Sequence, residues 1–189
     1  TFRNDDGDVL DYVAGDDASF SCNGNECGTP VTNAVSDSVD YGSGYGYFYG
    51  TLIEASSTST LMSFEMDSSQ ADSDCSMDFY LLKEMSSGSW EVLWSNTNVP
   101  LNASGNTNSG TIGVVVEDGE RYVTGFKGAC TSGAGNDDIG FDDSGSGSMD
   151  AGWGTAISMV GGDLEVEPIV LNEFAPFAIF YMEFNHTQL

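Results

Sequence analysis

Period-two alternation is the feature of this chain that most restricts its fold. In "LMSFEMD" Met62, Phe64 and Met66 share one parity while Ser63, Glu65 and Asp67 take the other, as a half-buried antiparallel strand requires. "DFYLLKEM" sets Phe79 and Leu81 against Tyr80 and Leu82, and "SWEVLW" aligns Trp90, Val92 and Trp94. The "SSGS" between them is a hairpin signal. "GTIGVVVEDGERYVTGFKG" reads as two strands, with Ile112, Val114 and Val116 inward on the first and Tyr122, Thr124 and Phe126 aligned on the second, joined at an Asp-Gly turn. Further strands are expected in "GWGTAISMV", "EVEPIVL" and "PFAIFYMEF". Helical spacing with caps is absent outside a short window from Leu81 to Ser86. The expectation is all-β: an antiparallel β-sandwich, jelly-roll-like, of about eight to ten short strands separated by Gly/Ser/Asn/Asp turns. With 189 residues, 40% of them hydrophobic, a single domain spanning residues 1–189 can bury its own core.

Charge narrows the partners. Thirty Asp and Glu stand against four Lys and Arg, a formal net charge of −26. A row of phosphates could not be neutralised by Arg3, Lys83, Arg121 and Lys127, so nucleic acid is excluded as a partner, and a bare anionic membrane is disfavoured for the same reason. No apolar run is long enough to span a bilayer as a helix, and no signal peptide precedes "TFRNDDGD", which fits a processed, secreted chain. Such a charge keeps a protein soluble while opposing compaction, so high salt, divalent cations or acid is its expected setting.

Four cysteines in a chain rich in Ser, Gly, Asn and Thr point to two disulfides and an oxidising, extracellular or cell-surface location. Cys22 and Cys27 enclose the small loop "NGNE", leaving Cys75 and Cys130 as a long-range staple. Zinc is the rival reading, but there is no CxxC and the sole histidine is His186. Two sequons, at Asn102 and Asn185, are candidate glycosylation sites.

Catalysis finds little support. A histidine four residues from the C-terminus, in "NHTQL", is poorly placed to serve a Ser/His or Cys/His site. The carboxylate pairs Glu65/Asp67 and Glu165/Glu167 have glycosidase-like spacing, which a chain with thirty acids produces by chance. The expectation is a protein that is not an enzyme. Calcium is the one candidate cofactor: "GNDDIGFDDSGSGSMD" gathers Asp137, Asp138, Asp142, Asp143 and Asp150, with "NDDGD" near the N-terminus as a smaller version. Neither has EF-hand spacing.

Two apolar stretches call for a partner. In "YGSGYGYFYG" one strand face would carry Tyr41, Tyr45, Tyr47 and Tyr49 and the other mostly glycine; tyrosines offer rigid stacking area, and glycines admit a close neighbour. In "FAPFAIFYMEF" Phe177, Ile179 and Tyr181 take one face and Phe180, Met182 and Phe184 the other. A strand apolar on both sides lies centrally in a sandwich or completes another subunit's sheet. The N-terminal segment 1–20 and the C-terminal strand 174–189 are thus candidates for exchange between neighbouring subunits.

The order "TLMSFEMD", "DFYLLKEMSSGSWEVLWSN", "GNTNSGTIGVVVEDGERYVTGF" and "IGFDDS…GWGTA" resembles bacterial secreted or cell-surface β-sandwich modules, over roughly Gly50 to Ala156. That resemblance implies a fold and no catalytic residues. The expected function is a non-enzymatic extracellular structural protein, a subunit of a surface filament or pilus-like polymer that self-associates through strand addition and apolar strand contacts. The alternative is a carbohydrate-binding or adhesive module whose tyrosine stripe, with Trp90, Trp94 or Trp153, stacks on a glycan.

Overall fold

The computed structural model describes residues 2–3, 9–10, 21–22, 25–26, 31–34, 40–42, 47–68, 75–85, 88–102, 104–130, 139–142, 149–175, 179–180 and 182–188. Its strands form antiparallel sheets, and two of these face each other as an open sandwich. The larger has seven strands in the order Trp90–Pro100, Cys75–Glu84, Arg121–Cys130, Phe48–Ala55, Gly154–Gly162, Met149–Asp150, with Asn172–Ala175 also paired to Gly154–Gly162. The smaller has five, in the order Asn106–Asn108, Ser59–Asp67, Met182–Gln188, Val31–Ala34, with Val114–Val116 also on Ser59–Asp67. A three-stranded sheet of Asp40–Gly42, Ile139–Asp142 and Ile179–Phe180 lies against strands of both.

Alternation places the core. Met77, Phe79 and Leu81, Tyr122 and Phe126, and Ile53 point from the seven-stranded sheet toward Leu61, Phe64, Met66 and Phe184 of the five-stranded one. Phe64 meets Phe79 edge-on at 5.5 Å, and Trp153 bridges the two sheets, 6.0 Å from Tyr122 and 5.8 Å from Phe184. Burying each such ring contributes about 1.5–3 kcal/mol, and favourable ring pairing adds about 0.5–1.5 kcal/mol.

The outer face of the seven-stranded sheet is covered as well. Phe48, Leu52, Leu82, Trp90, Val123 and Val160 pack with Ile169, and Leu164 and Leu171 lie against the same cluster. Residues 163–171 therefore form a strap, where a strand was expected in "EVEPIVL". Pro168 has no N–H to give a ladder, and the strap is fixed instead by the Trp90 N–H donating to the Ile169 carbonyl at 3.0 Å and by a Lys127–Glu165 ion pair at 2.8 Å.

Other departures have local causes. Leu93 is an extra residue in its strand: Val92 opposes Leu82 and Trp94 opposes Leu81. This bulge turns Trp90 to the outer cluster and Trp94 to the inner one, so the expected alignment of the two tryptophans is broken. Met62 is likewise extra between Leu61 and Ser63, so Leu61 joins Phe64 and Met66 in the core while Met62 is half-buried. The Asp-Gly turn closes as expected, with Glu120 N–H donating to the Glu117 carbonyl at 3.2 Å. Its two flanking strands, however, belong to different sheets. The window from Leu81 is strand through Glu84.

Candidate functional site

The C-terminal run is divided among three sheets instead of forming one strand. Asn172–Ala175 pairs with Gly154–Gly162, Ile179–Phe180 with Phe141 and Asp142, and Met182–Gln188 lies between Ser59–Asp67 and Val31–Ala34. The last is an interior strand, paired on both sides within its own chain. Phe184 is wholly buried against Phe64, at 6.3 Å, and Trp153. Met182 stands opposite Met66, while Phe177 and Tyr181 lie outside the described residues.

His186 faces the same interior. It is 2% exposed, and neither ring nitrogen has a hydrogen-bond partner. Burial holds its imidazole below the usual range, against a smaller upward pull from Asp150. Trp153 Nε1 and Asn185 Oδ1 are also buried and unpartnered. The sequence marked His186 only as poorly placed for catalysis; what it lacked was the pairing of this segment with residues more than a hundred positions away.

The tyrosine run is divided too. Asp40–Gly42 belongs to the three-stranded sheet, with Tyr41 opposite Gly140, whereas Phe48–Ala55 is central in the seven-stranded one. Tyr45 lies outside the described residues. Tyr47 and Tyr49 are half-buried with ring centres 5.2 Å apart, and both approach Phe174, at 6.3 and 5.7 Å. Phe174, 46% exposed, is a member of this cluster that tyrosine counting missed. The opposite face is not bare, because Phe48 reaches over Gly125 to meet Tyr80 edge-on at 5.8 Å. Of the tryptophans weighed with the tyrosines, Trp90 and Trp153 are buried and Trp94 is packed against the core.

Charged groups are arranged on the surface. Lys83 pairs with Glu117 at 2.7 Å and Glu120 at 3.4 Å, and Arg121 with Glu84 at 2.9 Å and Glu173 at 3.7 Å. With Lys127 on Glu165, each of these cations is taken by the chain's own carboxylates. The hydrogen bond that Lys83 Nζ donates to Glu117 raises the ammonium above its usual range. Glu65 accepts from Asn108 Nδ2 at 2.7 Å on the exposed side, and Glu165 and Glu167 sit exposed in the strap. Glu54, Ser56, Asp118 and Thr155 line a shallow open hollow of about 440 Å³.

Among the described residues no group of three or more His, Cys, Asp or Glu is placed to hold a metal. Asp137, Asp138 and Asp143 lie outside them, Asp142 is in a strand, and Asp150 Oδ1 accepts from Gly152 N–H at 2.7 Å. Cys75 is disulfide-bonded, and Cys130 is its register partner across the sheet; Cys22 is in a strand opposite Asn25 and Cys27 lies outside the described residues. Asn102 is exposed, its Oδ1 accepting from Ser104 Oγ at 2.8 Å, whereas Asn185 sits in the interior strand. No helix among the described residues is long and apolar enough to cross a membrane. No protein family, curated protein or solved structure matches the chain.

Proposed function

We propose that this chain is a non-enzymatic extracellular structural protein, a filament subunit that assembles by strand addition with its C-terminal strand as donor. The observation that carries this reading is the position of Met182–Gln188: the last strand of the chain is interior in its sheet, between partners from the first and second thirds of the sequence. Removing it leaves a slot flanked by two rows of unpaired backbone groups, which the same strand of a neighbour fills with the same contacts. Exchange then differs from self-insertion in residues 176–181, where the Ile179–Phe180 pairing with Phe141 and Asp142 lies, since Asn172–Ala175 is anchored in the other sheet. Passed head to tail, the exchange does not close and yields a filament; passed reciprocally, it yields a dimer.

A second reading is supported by the half-exposed cluster of Tyr47, Tyr49 and Phe174, which offers stacking area to a sugar ring. One experiment separates the two. Electron microscopy of the secreted protein is expected to show filaments that a chain truncated before Phe177 cannot form and that a synthetic peptide of residues 177–189 blocks. Normal filaments from the truncated chain overturn the proposal. Dispersed monomers that bind a glycan array, with binding lost in Tyr47→Ala, establish the second reading.

A further inference from the structure

His186 is the chain's only histidine, and it is buried, 2% exposed, with both ring nitrogens unpartnered. As a neutral ring it needs no counter-charge. As an imidazolium it becomes a buried cation with no hydrogen-bond acceptor, a state disfavoured unless the group reaches water. Its place makes that escape inexpensive. It stands at a register shift, where Asn185 opposes Ser63 but His186 opposes Leu61, and beyond it only Thr187 and Gln188 continue the pairing, with Thr60 and Ser59. A strand end of this kind opens locally without disturbing the core.

We propose that His186 is an acid-sensitive latch: protonation of its imidazole releases residues 186–188 from the Asn185/His186 register shift onward, freeing Val31 on one side and Ser59–Leu61 on the other. The inference goes beyond the polymer reading, because the released strand end is a state of one molecule whether or not a neighbour uses it.

The surrounding charges leave the histidine as the group that acts near neutrality. Val31–Ala34 contains no titratable side chain. Ser59–Asp67 contributes Glu65 and Asp67, at the far end of that strand from Leu61. Asp150 is the acid whose charge reaches the ring, and Glu183 lies on the same strand, opposite Glu65. Carboxylates ordinarily titrate about two pH units below imidazole. Burial lowers the affinity of the closed form for the proton, so the open form binds it more readily. The closed strand therefore keeps its full stability above the open-state value of about 6.5 and loses it as pH falls below, until the closed-form value is reached.

The test is site-resolved amide hydrogen exchange on the intact protein between pH 7.5 and 5.0, corrected for intrinsic rates. Below about pH 6.5 the amides of residues 186–188 are expected to lose protection by about tenfold per pH unit, while those of Tyr122–Phe126 hold theirs. His186→Gln and His186→Leu both remove the titration, and the profile of either folded variant is expected to be flat over this range. Protection of residues 186–188 that does not change with pH in the wild type overturns the latch, as does an equal loss in a variant. Because the readout is protection within the monomer, a failed latch is distinguishable from a failed polymer.

Discussion

Gly125 has no space for a methyl group. It stands opposite Gly50 on the neighbouring strand, and a β-carbon built on it would run into the Tyr49 carbonyl and the Phe48 ring. Gly50 is as confined, with the Thr124 carbonyl 2.8 Å from where its β-carbon would be. The glycines of the tyrosine run are thus explained in part by packing: bare backbone on one strand lets an aromatic ring lie over the next. Gly125→Ala is expected to destabilise the fold by about 1–3 kcal/mol, the usual range for overpacking a closed site. Gly105, whose added carbon would meet only Asn102 Nδ2 at 3.5 Å, is the control, with Gly105→Ala expected within about 0.5 kcal/mol of the wild type. Urea unfolding followed by far-ultraviolet dichroism measures both. Equal midpoints would show that the Tyr49 carbonyl and the Phe48 ring both give way to the added methyl group.

The strap at residues 163–171 shows what an element adds that its parity does not reveal. Ile169 is 4% exposed and closes the outer cluster over Trp90 and Leu82. Ile169→Ala is expected to cost about 2–4 kcal/mol in urea unfolding, and to shift Trp90 emission to the red if the strap lifts before the core unfolds. A loss below about 1 kcal/mol would mean that the outer cluster holds without its cover. The strands beneath were legible in the sequence because alternation is local: Phe79, Leu81, Tyr122, Thr124 and Phe126 lie inward as their parity requires. The bulges at Leu93 and Met62 were not, since an extra residue is defined only by the partner strand that skips it. For the same reason the Asp-Gly turn could be read as tight but not as a passage between sheets. The candidate site was half legible. The sequence singled out the apolar C-terminal run and the tyrosines, while the split of each run, the addition of Phe174 and the burial of His186 depend on pairings far along the chain.

At the scale of the whole molecule, the net charge of −26 opposes both folding and assembly. Lys83, Arg121 and Lys127 already lie against Glu84, Glu117, Glu120, Glu165 and Glu173, and exposed pairs of this kind are worth about 0–1 kcal/mol each, so the excess is left to the solvent to screen. The screening length falls from about 30 Å at 0.01 M salt to about 10 Å at 0.1 M and about 3 Å at 1 M, passing from the dimensions of a domain to those of a single contact. The urea midpoint is therefore expected to rise with sodium chloride, most of the rise occurring below about 0.1 M, where repulsion between opposite sides of the molecule is removed. Filaments are expected to need salt over the same range, because subunits that exchange strands bring two such charges together. Calcium chloride at matched ionic strength separates screening from binding. If the aspartate-rich segments take up the ion, the midpoint rises further by RT ln(1 + [L]/Kd), about 2.7 kcal/mol at a hundredfold excess over Kd. Superimposed sodium and calcium curves at matched ionic strength would remove calcium from the account of this protein, and a midpoint unchanged by either salt would show that its negative charges are spaced too widely to oppose the fold.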